Sequence, residues 1–218
     1  TAIEDHFDHS FELEETLAAK GKDEALHLVK DMLHNPGSVF YVRQQQPAGL
    51  GHAVWCARHL VGSEPVAVLL ADDLILGASC VKEMVDAYKG GNMVAVMDVP
   101  HEQTGSYGIV TPSADDGRIV QVEGLVEKPD PSSAPSNIAV VGRYIITPEV
   151  FETLAAQERG AGGEIQLTDA LAKQIGKAPF SGVRFSGERF DCGSKLGFLQ
   201  ANVCLLYTSD AADEGGSG

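Results

Sequence analysis

Two neighbouring carboxylates, Asp72 and Asp73, end the apolar run of residues 66–71 in the segment PVAVLLADDLI. In open α/β sheets, ligands bind outside the carboxyl ends of the strands. An aspartate there can hold a hard cation through oxygen, and Mg²⁺ in turn screens the phosphates of a nucleotide. Adjacent residues of an extended segment point to opposite sides. The pair therefore predicts only one direct ligand. Aspartate after a strand also caps backbone N–H groups in turns, so the pair alone leaves both roles open. The segment RFDCGS repeats the pattern with Asp191 before Gly193, and an Asx turn accounts for it equally well.

Other stretches have matching chemistry. In RQQQPAGLGHAV, Gly49 and Gly51 precede a helical pattern, where backbone can approach a ligand closely and N–H groups are unpaired. Gly-x-Gly is also a common turn, and His52 in a first helical turn reads as a hydrogen-bonded structural group. In LVEKPDP, Glu127 and Lys128 close a strand that Pro129 terminates. A carboxylate there accepts sugar hydroxyls while the ammonium meets a phosphate as a point charge; an exposed edge without a ligand fits the same residues.

The elements that must position these residues follow from periodicity. Leu13, Leu17, Leu26, Val29 and Leu33 are spaced for helix interrupted near Gly21, and the helix stops at Asn35-Pro36-Gly37. The β-rich VFYVRQ follows, then a helical face of Leu50, Ala53, Val54, Ala57 and Val61. A strand covers residues 66–70. Val81, Met84, Val85 and Tyr88 mark a helix closed by Gly90-Gly91, and MVAVMDV is the next strand. This alternation predicts a doubly wound α/β sheet, because parallel strands need helical crossovers. Beyond Pro100, YGIVTP, RIVQVEGLVEKP and NIAVVGRYII read as antiparallel strands. Helices over 148–156 and 164–175, the strand-like FSGVRFSG, the turn FDCGS and a helix with Leu196, Leu199 and Val203 complete the mixed second half. GGSG closes the chain in linker composition, so residues 208–218 are read as a non-native or disordered tail. Residues 1–207 are read as one partial domain.

Sixteen Lys and Arg against 31 Asp and Glu give a net charge of −15. No basic excess exists to neutralise nucleic-acid phosphates or an anionic membrane. No apolar run reaches membrane-spanning length. Cys56, Cys80, Cys192 and Cys204 lack zinc or redox spacing and read as buried reduced thiols of a cytoplasmic protein.

Taken in order, AIEDHFD, VRQ…GLGHAVWCA, PVAVLLADDLI, SYGIV, VEKP, PSNIAVVGRYI, GEIQLTDAL and FDCGSK closely resemble bacterial UTP–glucose-1-phosphate uridylyltransferases (UDP-glucose pyrophosphorylases). The likeness runs from Thr1 to about Val203. It implies a Rossmann-like, glycosyltransferase-A-like mixed sheet flanked by helices, and transfer of uridylyl from UTP to glucose 1-phosphate, giving UDP-glucose and pyrophosphate. By resemblance, Gln44 and Gly49 read the uracil edge, and Asp72 binds Mg²⁺ and nucleotide. Asp191 is the second metal carboxylate and Lys128 lies on the phosphates. Gly108, Glu127 and Val140 hold glucose, with Asn137, Gly142 and Glu164 supporting the pocket. Asp72, Lys128 and Asp191 are the expected catalytic set, and the intact protein is expected to be a homo-oligomer.

The family's opening strand and Gly-rich loop have no counterpart here. The chain is thus expected to be N-terminally truncated and its own activity impaired. Alternative readings are a UDP-sugar-dependent glycosyltransferase or a non-catalytic nucleotide-sugar-binding module.

Overall fold

The structure, a computed structural model, describes residues 2–214, with side chains from Ile3 to Tyr207. It divides into two compact units between Arg43 and Gln44. The first carries helices α1 (Ala2–His6), α2 (Phe11–Ala19) and α3 (Asp23–Asp31). Gly21, at φ +62°, provides the left-handed turn that separates α2 from α3 at the expected interruption. Leu17, Leu26, Val29 and Leu33 are half-buried, and Leu13 remains exposed.

The expected strand VFYVRQ is not one. Residues 39–44 belong to no ladder, and Phe40 is 65% exposed. β-branched and aromatic residues favour strands only when a neighbour accepts their hydrogen bonds, and none does so among the described residues.

The second unit opens with α4 (Leu50–Cys56), β1 (Val66–Leu69), β2 (Asp73–Leu76), α5 (Cys80–Ala87) and β3 (Asn92–Asp98). Then come β4 (Gly108–Asp115), β5 (Ile119–Glu127), β6 (Ile138–Ile146), α6 (Pro148–Leu154), α7 (Leu167–Ala172), β7 (Phe180–Arg184), β8 (Glu188–Asp191) and α8 (Lys195–Glu214). The tail reading from residue 208 extends to residues 215–218, which lie outside the described residues.

The main sheet runs β1-β6-β3-β7-β5-β4, and β2 and β8 form a separate two-stranded ribbon. The sheet is mixed, as the family resemblance implies, but it is less parallel than the simple alternation predicts. β1 and β3 share a direction because each pairs antiparallel with β6, which inserts between them. Only β3–β7 is a parallel ladder among the described strands.

Both faces of β3 are covered, which explains its unbroken apolar run. Val94 and Val96 face the core that includes Val150, Leu167 and Leu171. Met93 and Ala95 face Cys80 and Met84 of α5. Ser79 caps α5 by accepting from the Lys82 amide at 3.3 Å. The α5 stripe is displaced from the expected one, since Val85 is 59% exposed.

The expected helix from 164 begins only at Leu167. Residues 164–166 are extended because their backbone is used elsewhere. Ile165 donates to Ala48 O at 2.8 Å and accepts from the Gly51 amide at 2.8 Å. The helix at 50 likewise ends at Cys56, short of Val61. No helix among the described residues is long and apolar enough to cross a membrane.

Candidate active site

The two aspartates that end the β1 run have separate surroundings. Asp73 is 6% exposed, and its Oδ1 accepts Arg189 Nε at 2.6 Å and pairs with Nη2 at 2.5 Å. Its Oδ2 accepts the Gly142 amide at 2.6 Å. The Arg143 guanidinium ties the turn from above, donating to Leu70 O, Gly142 O and Asp73 O. Burial disfavours the Arg189 charge, yet Asp73 and the Tyr107 hydroxyl outweigh it and hold the guanidinium above its usual range. Asp73 is thus a buried structural anion already neutralised within the protein.

Asp72 is exposed, and only its backbone is tied down, by the Cys192 amide at 2.7 Å. The β2–β8 ribbon sets Asp73 opposite Asp191, while Asp72 stands in the turn just before the ladder, and from there its carboxylate reaches the same glycine as that of Asp191. An added Cβ on Gly193 would lie 3.1 Å from both Asp72 Oδ2 and Asp191 Oδ1. The Asx turn considered for Asp191 is present as well, since its Oδ1 accepts the Gly193 amide at 3.0 Å. The turn therefore aims this carboxylate rather than replacing its chemistry.

Asp72 and Asp191 line a cleft of about 340 Å³ together with Gly108, Glu127, Lys128, Val140, Gly142 and Glu164. These expected site residues come from separate strands and the loops beside them and meet in one cavity. The Gly142 backbone leaves no room for a side chain, because a Cβ would sit 2.3 Å from Asp73 Oδ2. Lys128 holds a left-handed φ of +46° immediately before Pro129. A side-chain-bearing residue in that region is strained by about 1–3 kcal/mol, and such strain clusters at ligand sites. Its amide donates to Tyr107 O at 3.0 Å, and its Nζ lies 3.8 Å from Glu127 Oε1.

Asn137, Gln44 and Gly49 are not among the lining residues. Asn137 instead gives its carbonyl to the Val99 amide at 3.0 Å. Gly49, at φ +102°, is required by packing: a Cβ would lie 2.8 Å from Glu164 Cβ and 2.8 Å from Ile165 O. Gln44 Nε2 donates to Gly49 O at 3.1 Å and to His52 Nδ1 at 2.9 Å. Both amide hydrogens are thereby committed, which leaves the Gln44 carbonyl as the group available to a ligand. His52 stacks on Trp55 with ring centroids 6.0 Å apart, the structural role read from its position.

Sequence reasoning missed Arg189, Tyr107 and Thr168, all of which line the cleft. Arg189 carried a faint signal, since it stands two residues before Asp191 and so shares its strand face. Thr168 and Tyr107 carried none, because their roles depend on strands distant in sequence.

Among the described residues no three His, Cys, Asp or Glu side chains cluster as a closed metal cage. Cys80 is buried, while Cys56, Cys192 and Cys204 are half-buried rather than fully buried as expected. The burial of Cys80 pushes its thiol up to about 11.

The nucleotidyl transferase family matches residues 8–206. The chain is 52% identical to the UTP–glucose-1-phosphate uridylyltransferase of Komagataeibacter xylinus, over 88% of this chain and 69% of that protein. It is 48% identical to the enzyme of the same name from Bacillus subtilis strain 168, over 93% of this chain and 70% of that one. A crystal structure of UDP-glucose pyrophosphorylase complexed with UDP-glucose superposes with a TM-score of 0.85 at 36% identity, covering 95% of this chain and 77% of that chain. These relatives do not favour the glycosyltransferase or the non-catalytic alternative. With its mixed sheet and strand-end carboxylates, the chain belongs to the nucleotidyl transferase family, in the branch of the UTP–glucose-1-phosphate uridylyltransferases.

Proposed function

We propose that this chain takes part in uridylyl transfer from UTP to glucose 1-phosphate, forming UDP-glucose and releasing pyrophosphate. One observation carries the reading. The cleft sets an uncompensated carboxylate pair, Asp72 and Asp191, in the same cavity as Glu127 and Lys128, while Arg189 is occupied by Asp73. A phosphate oxygen of glucose 1-phosphate attacks the α-phosphorus of UTP in line. The bond from that phosphorus to the oxygen bridging to the β-phosphate breaks, and the electron pair leaves with pyrophosphate. No oxidation or reduction occurs, so the protein's task is positioning and charge neutralisation.

Lys128 meets the phosphates as a point charge. Glu127 accepts sugar hydroxyls beside Gly108 and Val140, with Asn137 and Gly142 supporting the backbone around them. Gln44, held by Gly49 and His52, offers its carbonyl to a base N–H, which uracil supplies at N3 and cytosine does not. Asp72 and Asp191 fit Mg²⁺, since their all-oxygen pair converges on a point that a Cβ on Gly193 would crowd. Such an ion keeps waters and takes one or two carboxylates plus phosphate oxygens, and when bound it supplies neutralisation of phosphate charge. The half-exposed thiols Cys56 and Cys192 support a reducing, cytoplasmic setting. The exposed Leu196, Phe198 and Leu199 of α8 support self-association into a homo-oligomer.

Calorimetric titration with UDP-glucose tests the reading. Saturable binding with Mg²⁺ that is lost in EDTA and in Asp72→Ala is expected. A folded chain that binds UDP-glucose under neither condition defeats the proposal.

A further inference from the structure

Three segments distant in sequence meet at one end of the cleft: the start of β4 at Gly108, the end of β5 at Glu127, and the first turn of α7 at Thr168. Gly108 pairs with Glu127 across the β4–β5 ladder. A Cβ on Gly108 would lie 2.8 Å from Thr168 Cγ2 and 3.2 Å from Glu127 Oε2. Thr168 is 8% exposed and the Glu127 side chain 12% exposed. The Thr168 hydroxyl donates to Glu127 Oε2 at 2.5 Å, across 41 positions of sequence. A threonine in a helix commonly spends its proton on a carbonyl of the preceding turn; this one spends it on a carboxylate that faces a cavity.

We propose that Thr168 is a positioning residue for sugar recognition, fixing the plane of the Glu127 carboxylate so that its remaining lone pairs face the sugar hydroxyls. The inference rests on the reading of Glu127 as the sugar-hydroxyl acceptor. An ionised carboxylate only accepts, with about four lone-pair sites on its two oxygens. Thr168 fills one of them. Lys128 Nζ, 3.8 Å from Oε1, contributes charge without a short hydrogen bond, so Oε1 stays available to a ligand donor. The terminal torsion of Glu is broad and roughly two-fold. Without the Thr168 hydroxyl, the hydrogen bond that opposes rotation of the carboxylate toward Lys128 is lost. A glucosyl ring would then meet a misaligned acceptor, while a nucleotide without the glucosyl group would not register the change.

The test compares the titration of UDP-glucose with that of UDP in the presence of Mg²⁺. Thr168→Val, which keeps the shape and removes the donor, is expected to weaken UDP-glucose about tenfold and leave UDP unchanged. Thr168→Ser restores binding. Because Thr168 acts through Glu127, the double variant Thr168→Val/Glu127→Gln is expected to bind UDP-glucose no more weakly than Glu127→Gln alone. The proposal is overturned if Thr168→Val binds UDP-glucose as the parent does, if it weakens UDP and UDP-glucose by one common factor, or if the two substitutions add. Where Glu127→Gln weakens UDP-glucose and Thr168→Val does not, only Thr168 loses its role. Where Glu127→Gln binds normally, the sugar role of Glu127 falls and takes this inference with it. A folded parent that does not bind UDP-glucose overturns both.

Discussion

Asp72→Ala and Asp73→Ala remove neighbouring carboxylates and should produce opposite phenotypes. Asp73 is buried, and its loss strands the Arg189 guanidinium and leaves the Gly142 amide without an acceptor. Removing one member of a buried pair leaves an uncompensated charge and costs about 3–5 kcal/mol. That is a large share of the roughly 5–15 kcal/mol that stabilises an ordinary domain. At about 2–4 °C per kcal/mol for a chain of this size, the melting midpoint should fall by roughly 6–20 °C. Asp72 is exposed and uses only its backbone carbonyl in the fold. Asp72→Ala should therefore stay within about 0.5 kcal/mol of the parent while losing Mg²⁺-dependent binding of UDP-glucose. Arg189→Met combined with Asp73→Ala should recover part of the loss, since removing both charges leaves neither one unpaired. Thermal and urea melts followed by circular dichroism, paired with calorimetry, decide the matter. If Asp73→Ala melts within about 2 °C of the parent, or Asp72→Ala fails to fold, the assignment of one structural and one functional aspartate is wrong.

Gly193→Ala would place a methyl 3.1 Å from both Asp72 Oδ2 and Asp191 Oδ1, so UDP-glucose binding should weaken at limiting Mg²⁺ and partly recover at saturating Mg²⁺ in the same titration. Gly49→Ala combines a φ of +102° with a Cβ 2.8 Å from Ile165 O, and urea denaturation should show a loss of about 2–5 kcal/mol. Hydrogen bonding by the Arg184 guanidinium holds the Asp115 carboxyl below its usual 3.8, and the Ser186 hydroxyl holds Glu83 below its usual 4.5. Carboxyls depressed in the fold stabilise fully above their unfolded values and lose that contribution as pH falls through the folded ones. Urea midpoints should thus stay level down to about pH 5 and drop below about pH 4, less steeply in Asp115→Asn; a midpoint that rises on acidification refutes this. Cys80, pushed up to about 11 by burial, should escape iodoacetamide in the native chain while Cys56 and Cys192 react, as read by mass spectrometry.

Much of the architecture was legible because it is local. The apolar run of β3 between two helices is written in neighbouring residues, and so are the break at Gly21 and the carboxylate that follows each strand end. Misreadings arose where a partner decides the outcome. Residues 39–44 have the composition of a strand, but composition does not supply a neighbouring strand to pair with. Residues 164–166 fit a helical pattern, yet Ala48 and Gly51 claim their backbone. Gly49 and Gly51 looked like an invitation to a ligand, and the structure gives them a packing reason as well.

The sequence by itself determined the α/β class, the order of family motifs, and that carboxylates stand at strand ends. Both aspartates line the cleft, and which of them is buried against a cation and which is left exposed was decided only by the tertiary structure. Alternation along an extended segment would part Asp72 from Asp73 without saying which is buried, and in the structure Asp72 lies in the turn before β2. That choice is made by Arg189, which arrives from 116 positions along the chain on a ribbon in register with β2. Thr168 reaches Glu127 in the same manner across 41. Such contacts depend on how separate strands and helices are packed, and no local pattern of residues records that packing.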